Sequence, residues 1–133
     1  MATMVDSCIY LDVFTRDPVW SEWSANAMAD AADRGTIVLN SAIYAEISVR
    51  FDRIEQIEAI LPADTYVYHE IPREAAFLAG KCFLRYRRRG GTRTAPLPNF
   101  FIGAHAAVAG IPLVTRDPAR FREYFPALRL VAP

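Results

Sequence analysis

Long apolar runs are missing from this sequence. Every hydrophobic stretch is broken by charge or proline well before the roughly 20 residues that a membrane-spanning helix requires, so a soluble protein without a membrane partner is expected. Cysteine is scarce as well: Cys8 and Cys82 are too few and too distant for a disulfide framework or a zinc clip, both of which need closely spaced thiols. They read as ordinary reduced thiols. Net charge is absent, because fifteen basic residues offset fifteen acidic ones. No globally basic surface can therefore draw in nucleic acid, and any such contact has to be local. The opening "MATMVDSCIY" has no basic region followed by an apolar run and a cleavage site, so no secretory signal is indicated and the cytoplasm is the expected location. There is no repeat, linker or low-complexity segment.

What is present is a hydrophobic share of 53% over 133 residues, enough for one domain spanning 1–133 with a real core. Short β-branched runs alternate with helical stretches. "TMVDS", "GTIVLNS", "TYVYHE", "PLVTRD" and "LRLVA" read as strands. Between them, "DPVWSEWSANAMADAADRG" reads as a helix with Asp17 and Pro18 as cap and first turn, and "NSAIYAEISVRF" as one capped by Ser41. "RFDRIEQIEAILP" carries Ile54, Ile57 and Leu61 at helical spacing, and "PREAAFLAGKCFLRYRRRGG" extends from Pro72 to a glycine pair. Two further helices are expected, from Pro98 to about Ala109 and from Pro118 to about Tyr124. Strands separated by helices, with almost no hairpin signal, imply an α/β fold: a parallel sheet covered by helices on both faces.

In such a sheet, ligand sites collect at the carboxyl ends of strands. Asp6 ends the first strand and Asp117 follows "PLVT", which places both on that edge. Glu46 lies mid-helix between Ile43 and Ile47, at the margin of a buried face. Alone it would read as a solvated residue.

"MVDSCIYLDVF", "NSAIYAEIS" and "LPNFFIGAHAAVAGIPLVTRDPARFREYFPALRLVAP" together, in this order and over nearly the whole chain, resemble the acidic motifs of PIN domains. The "TRDPARF…FP" ending is similar to that of VapC-like ribonuclease toxins of toxin–antitoxin pairs. The resemblance implies a PIN-like three-layer sandwich, with a mainly parallel central sheet flanked by helices. It further implies a metal-dependent endoribonuclease in which Asp6, Glu46, position 99 and Asp117 hold magnesium or manganese, and Ser7 and Thr115 orient ligands or water. Two carboxylates about 5 Å apart repel by about 3 kcal/mol at an effective dielectric of about 20, so such a cluster needs a cation or protons. Expected partners are an RNA substrate, a VapB-like antitoxin and a second copy of the chain, giving a homodimer and, with antitoxin, a heterotetramer or larger.

Position 99 departs from the family pattern, which has Asp in a "PDxxIAAxA"-like helix start where this chain has Asn99. Asn keeps the shape, caps a helix well and offers an amide oxygen, but removes one negative charge. A hard cation binds a neutral amide less well than a carboxylate, so this chain is expected to cleave RNA weakly or not at all while keeping its partner-binding surfaces. The alternative is a catalytically silent antitoxin-binding module. A phosphoacceptor receiver domain fits poorly, since Asp6 has no acidic neighbour and Lys81, the only lysine, is misplaced.

The basic run of Arg85, Arg87, Arg88, Arg89 and Arg93 is either a solvated helix end or a set of candidate RNA contacts. His105 lies six residues after Asn99 and faces away from the site, and His69 has no spaced ligand partner. Asp12 reads as a solvated helix residue, and the pair Trp20 and Trp23 as core or dimer contact.

Overall fold

The strand Thr3–Val5 (β1) is apolar apart from its first residue and shields all three side chains from solvent, as a strand with neighbours on both sides and helices above and below must. The computed structural model describes residues 1–133. Four more short strands, β2 (Ile37–Leu39), β3 (Tyr66–Tyr68), β4 (Leu113–Val114) and β5 (Leu130–Val131), join β1 in one sheet of order β3-β2-β1-β4-β5. Every neighbouring pair is parallel, so the sheet is wholly rather than mainly parallel. Met4 stands opposite both Val38 and Leu113, which fixes the register at the centre.

Parallel neighbours cannot be joined by a hairpin, so each link is a helical crossover. α1 (Ser7–Phe14) and α2 (Ser21–Arg34) connect β1 to β2, and α3 (Ser41–Ser48) with α4 (Ile54–Ile60) connects β2 to β3. α5 (Arg73–Arg88) and α6 (Pro98–Ala109) lead from β3 to β4, and α7 (Ala119–Arg122) precedes β5. The right-handed rule for parallel crossovers assigns the helices before and after β3 to opposite faces, because the chain reverses direction after β3; α1 packs on α2 and α5 on α6, and α3 touches both α1 and α6. This is the three-layer α/β sandwich implied by the sequence. The reversal leaves a crevice between the carboxyl ends of β1 and β4, the position where open parallel sheets bind ligands.

Local chemistry moved several helix boundaries. The Asp17 carboxylate accepts the N–H groups of Val19 (2.9 Å) and Trp20 (2.8 Å), so residues 18–20 close as a separate turn and α2 begins only at Ser21. Asn40, not Ser41, caps α3: its side-chain oxygen accepts the Ile43 N–H at 3.0 Å. Ile54 is exposed at 61%, and α4 buries Ile57 with the following Leu61 instead. α7 stops at Arg122, short of Tyr124.

α6 delivers Asn99. Pro98 occupies its first position, where a missing N–H leaves no bond unmade, and Asn99 is the second residue rather than the cap. The helix is buried along most of its length, and Gly103 lets it approach the segment after β4 closely: a Cβ there would stand 2.4 Å from a ring carbon of Phe125. No helix is long and apolar enough to cross a membrane.

Candidate functional site

Asp6 follows β1 and still takes part in the sheet, donating its N–H to the Val114 carbonyl at 2.9 Å. Its extended backbone starts α1, but its carboxylate does not cap that helix. Instead the side chain meets donors from two elements: Thr115 Oγ1, directly after β4, donates to Asp6 Oδ2 at 2.9 Å, and Cys8 Sγ donates to the same oxygen at 3.4 Å. Glu46 arrives from α3. Ser7 Oγ donates to Glu46 Oε1 at 2.9 Å and lies 3.5 Å from Asp6 Oδ1, so one hydroxyl bridges the two acids but has a single proton, given to Glu46.

Neither carboxylate has a salt-bridge partner. Burial pushes the Asp6 carboxyl above its usual range, against the pull of the Thr115 and Cys8 hydrogen bonds. Burial raises Glu46 too, with the Asp6 charge adding to it and the Ser7 hydrogen bond and the Arg120 charge opposing it. The Cys8 thiol is pushed up to about 12 by burial and by the Asp6 charge, which makes it a poor nucleophile.

Asp6, Ser7, Glu46 and Asn99 line one open cleft of about 480 Å³, together with Cys8, Tyr86, Tyr124, Arg93 and Arg120. Asp117 does not line it. The Asp117 N–H donates to Thr115 Oγ1 at 3.1 Å, while its carboxylate lies 4.0 Å from Arg116 Nη1. Of the four expected ligands, the structure therefore brings three together and sets the fourth aside. No group of three His, Cys, Asp or Glu side chains converges to hold an ion. The donor chemistry of the cleft nonetheless fits a hard divalent cation: the Asp6 and Glu46 carboxylates and an amide oxygen, with open space for water, match the sparse oxygen coordination that magnesium accepts, while the third carboxylate of the lining, Glu123, is paired with Arg89. The fit comes with two formal negative charges.

The five arginines separate. Arg85 and Arg89 lie over the Tyr124 ring, at 5.4 and 5.9 Å, and Arg89 also pairs with Glu123. Arg87 binds carbonyls of the following loop, and Arg88 lines no part of the cleft. Only Arg93 of the run reaches it, joined by Arg120 from α7, which sequence reasoning passed over because one arginine on a short helix carries no pattern.

His105 is structural. It is buried, its Nδ1 lies 3.0 Å from Asn40 Nδ2, and burial lowers its pKa, so a neutral ring accepts from the amide. Asp12 corrects the expectation of a solvated residue. It is buried at 3% and accepts from Ser24 Oγ and from Arg116 Nε, both at 2.8 Å, with Arg116 lying 5.7 Å from the Trp20 ring centre. The missed signal was its position three residues after Ile9, on the buried side of α1. Trp23 packs against the core, edge-on to Trp20.

No protein-family model matches the sequence, and no curated protein matches it. Solved structures do. A chain of VapBC2 from Rickettsia felis, bound to a DNA fragment from their promoter, matches with a TM-score of 0.72 and 20% identity, over 100% of this chain and 99% of that one. A chain of VapBC-1 from nontypeable Haemophilus influenzae gives 0.69 and 17%, over 99% and 98%. A chain of FitAB bound to the IR36 DNA fragment gives 0.66 and 14%, over 98% and 94%. At these identities the likeness is one of fold, and it extends end to end.

Proposed function

We propose that this chain is a PIN-type, VapC-like endoribonuclease toxin whose cleavage is weakened by Asn99, and that a VapB-like antitoxin is its partner. One observation carries the reading. At the sheet's switch point two half-buried to buried carboxylates, Asp6 and Glu46, share a serine bridge and no salt-bridged cation, an arrangement that burial penalises unless positive charge arrives from outside. Asp6 and Glu46 are the residues that would hold magnesium or manganese, with the Asn99 amide oxygen beside them. Bound there, the ion supplies positive charge that activates water and offsets the charge of a phosphodiester. The chain's own groups prepare the site: Thr115 and Ser7 fix the rotamers of the two acids, and the raised pKa of Cys8 keeps it a donor to Asp6.

Asn99 removes a charge where the acids need most help in gathering a cation. Asn99→Asp is expected to raise magnesium-dependent cleavage of RNA by at least tenfold over the unchanged chain, in line with the sensitivity of hard-cation sites to carboxylate count. Equal activity in the two chains, or activity indifferent to EDTA, would refute the weakening or the metal dependence respectively.

A second reading, a catalytically silent antitoxin-binding module, is favoured by the place of Asp117, whose carboxylate lies beside Arg116 and outside the cleft. On that reading a partner's guanidinium supplies the missing positive charge, and Asn99→Asp leaves cleavage undetectable while a small partner still co-purifies.

A further inference from the structure

The loop between α5 and α6 is held down from one side by two residues of α5. The Tyr86 hydroxyl accepts the N–H groups of Thr92 (3.2 Å) and Arg93 (3.3 Å), and Arg87 Nη1 donates to the carbonyls of Gly91 (3.2 Å) and Arg93 (2.8 Å). Gly91 sits so close to the Tyr86 ring that a Cβ would fall 2.3 Å from a ring carbon, so the loop's course depends on that contact. The consequence is that the backbone at Arg93 is held at the cleft wall. Arg120 lines the same cleft from α7, and neither guanidinium has a hydrogen-bond or ion-pair partner within the protein. The other cations of the basic run are committed elsewhere or lie outside the cleft.

Two unpaired guanidinium groups beside an acidic floor solve a specific electrostatic problem. Asp6 and Glu46 repel a phosphate, and a chain of zero net charge cannot compensate by long-range attraction. From this we infer that Arg93 and Arg120 are the two phosphate contacts that hold an RNA strand across the acids, and that Arg87 and Tyr86 are positioning residues acting through the loop that carries Arg93. The inference rests on the reading above that RNA enters this cleft, but it concerns binding and not cleavage.

The test is fluorescence anisotropy of a labelled single-stranded RNA oligonucleotide with the full chain in EDTA, across a series of salt concentrations. Arg93→Gln and Arg120→Gln should each reduce the slope of log K against log salt by about 0.7, and the pair together by about 1.4, the increment for one and two lost phosphate contacts on a single strand. Arg88→Gln should leave the slope unchanged. Arg87→Gln should weaken binding as Arg93→Gln does, and adding it to Arg93→Gln should cost nothing more, since both act through one contact. Far-UV circular dichroism of each variant establishes that it is folded. Slopes for Arg93→Gln and Arg120→Gln that match the unchanged chain, or an unchanged chain that binds no RNA, would overturn the assignment. Additive losses from Arg87→Gln and Arg93→Gln would make Arg87 a contact in its own right and overturn its positioning role. Cleavage by Asn99→Asp is measured separately: its absence with the expected slopes sinks the nuclease reading alone, and its presence with flat differences sinks the clamp alone.

Discussion

Two aspartates belong to the first helix, Asp6 just before it and Asp12 within it, and both are buried. Asp6, 5% exposed, accepts from a threonine hydroxyl and a thiol and stands near a second carboxylate. Asp12, 3% exposed, accepts from a serine hydroxyl and, at 2.8 Å, from an arginine that roofs a tryptophan. The burial is equal and the compensation is not. Asp12 has its counter-ion inside the fold and ties α1, α2 and the turn after β4 together. Asp6 has a hydroxyl and a thiol, feels the Arg120 charge without a salt bridge to it, and its carboxyl is held above the usual range. A buried acid by itself therefore says little about function; a buried acid that the fold leaves without a salt-bridged cation says more.

The strongest way to break the comparison is to remove the cation from Asp12. Arg116→Met leaves a desolvated carboxylate unpaired and should cost about 3 kcal/mol in urea unfolding, the scale of severing a buried pair. A loss below about 0.5 kcal/mol would place the pair with ordinary surface bridges. Asp6→Asn should go the other way. A carboxyl whose folded pKa is raised binds more protons in the native than in the unfolded state, so its ionisation lowers stability as pH rises from the ordinary carboxylate range through the raised value. The amide escapes that penalty and can still accept from Thr115. Asp6→Asn is therefore expected to be about 1 kcal/mol more stable than the unchanged chain at about pH 8, with the advantage shrinking toward about pH 4. On the proposed magnesium site, added magnesium is expected to raise the melting temperature of the unchanged chain and not that of this variant. A stability loss at every pH would mean that Asp6 is a structural acid like Asp12.

The sequence showed the strands, the crossovers and the edge on which Asp6 lies, because each depends on local pattern: β-branched runs, caps and the spacing of apolar residues. Glu46 and Asn99 came into view only through the resemblance to PIN-domain motifs, and the cleft contains both. What it concealed depends on contacts between distant segments. Asp12 and Arg116 are 104 residues apart and neither looks unusual beside its neighbours. Asp117 follows the right strand, yet β4 ends at Val114, so Thr115 takes the edge position facing Asp6 and Asp117 falls beside Arg116. The arginine run looked like one basic patch, and the fold divides it among an aromatic ring, a glutamate, a loop and the cleft.

The smallest effect tests how far the Asp12 compensation reaches. Arg116 is 27% exposed, so solvent screens part of its attraction to Asp12, and the Trp20 ring supplies a face on its other side. That ring is held in place by the turn that Asp17 closes, through the N–H of Trp20 itself. Trp20→Leu keeps an apolar surface beside the guanidinium but removes the quadrupole, and should cost about 0.5–1 kcal/mol, the value of a partly exposed cation–π contact. If the ring matters only through Arg116, the loss should vanish when Trp20→Leu is made in the Arg116→Met background, because the charge it served is gone. A loss that persists there would assign Trp20 to packing against Trp23 alone and leave Asp12 and Arg116 as a pair without a third member.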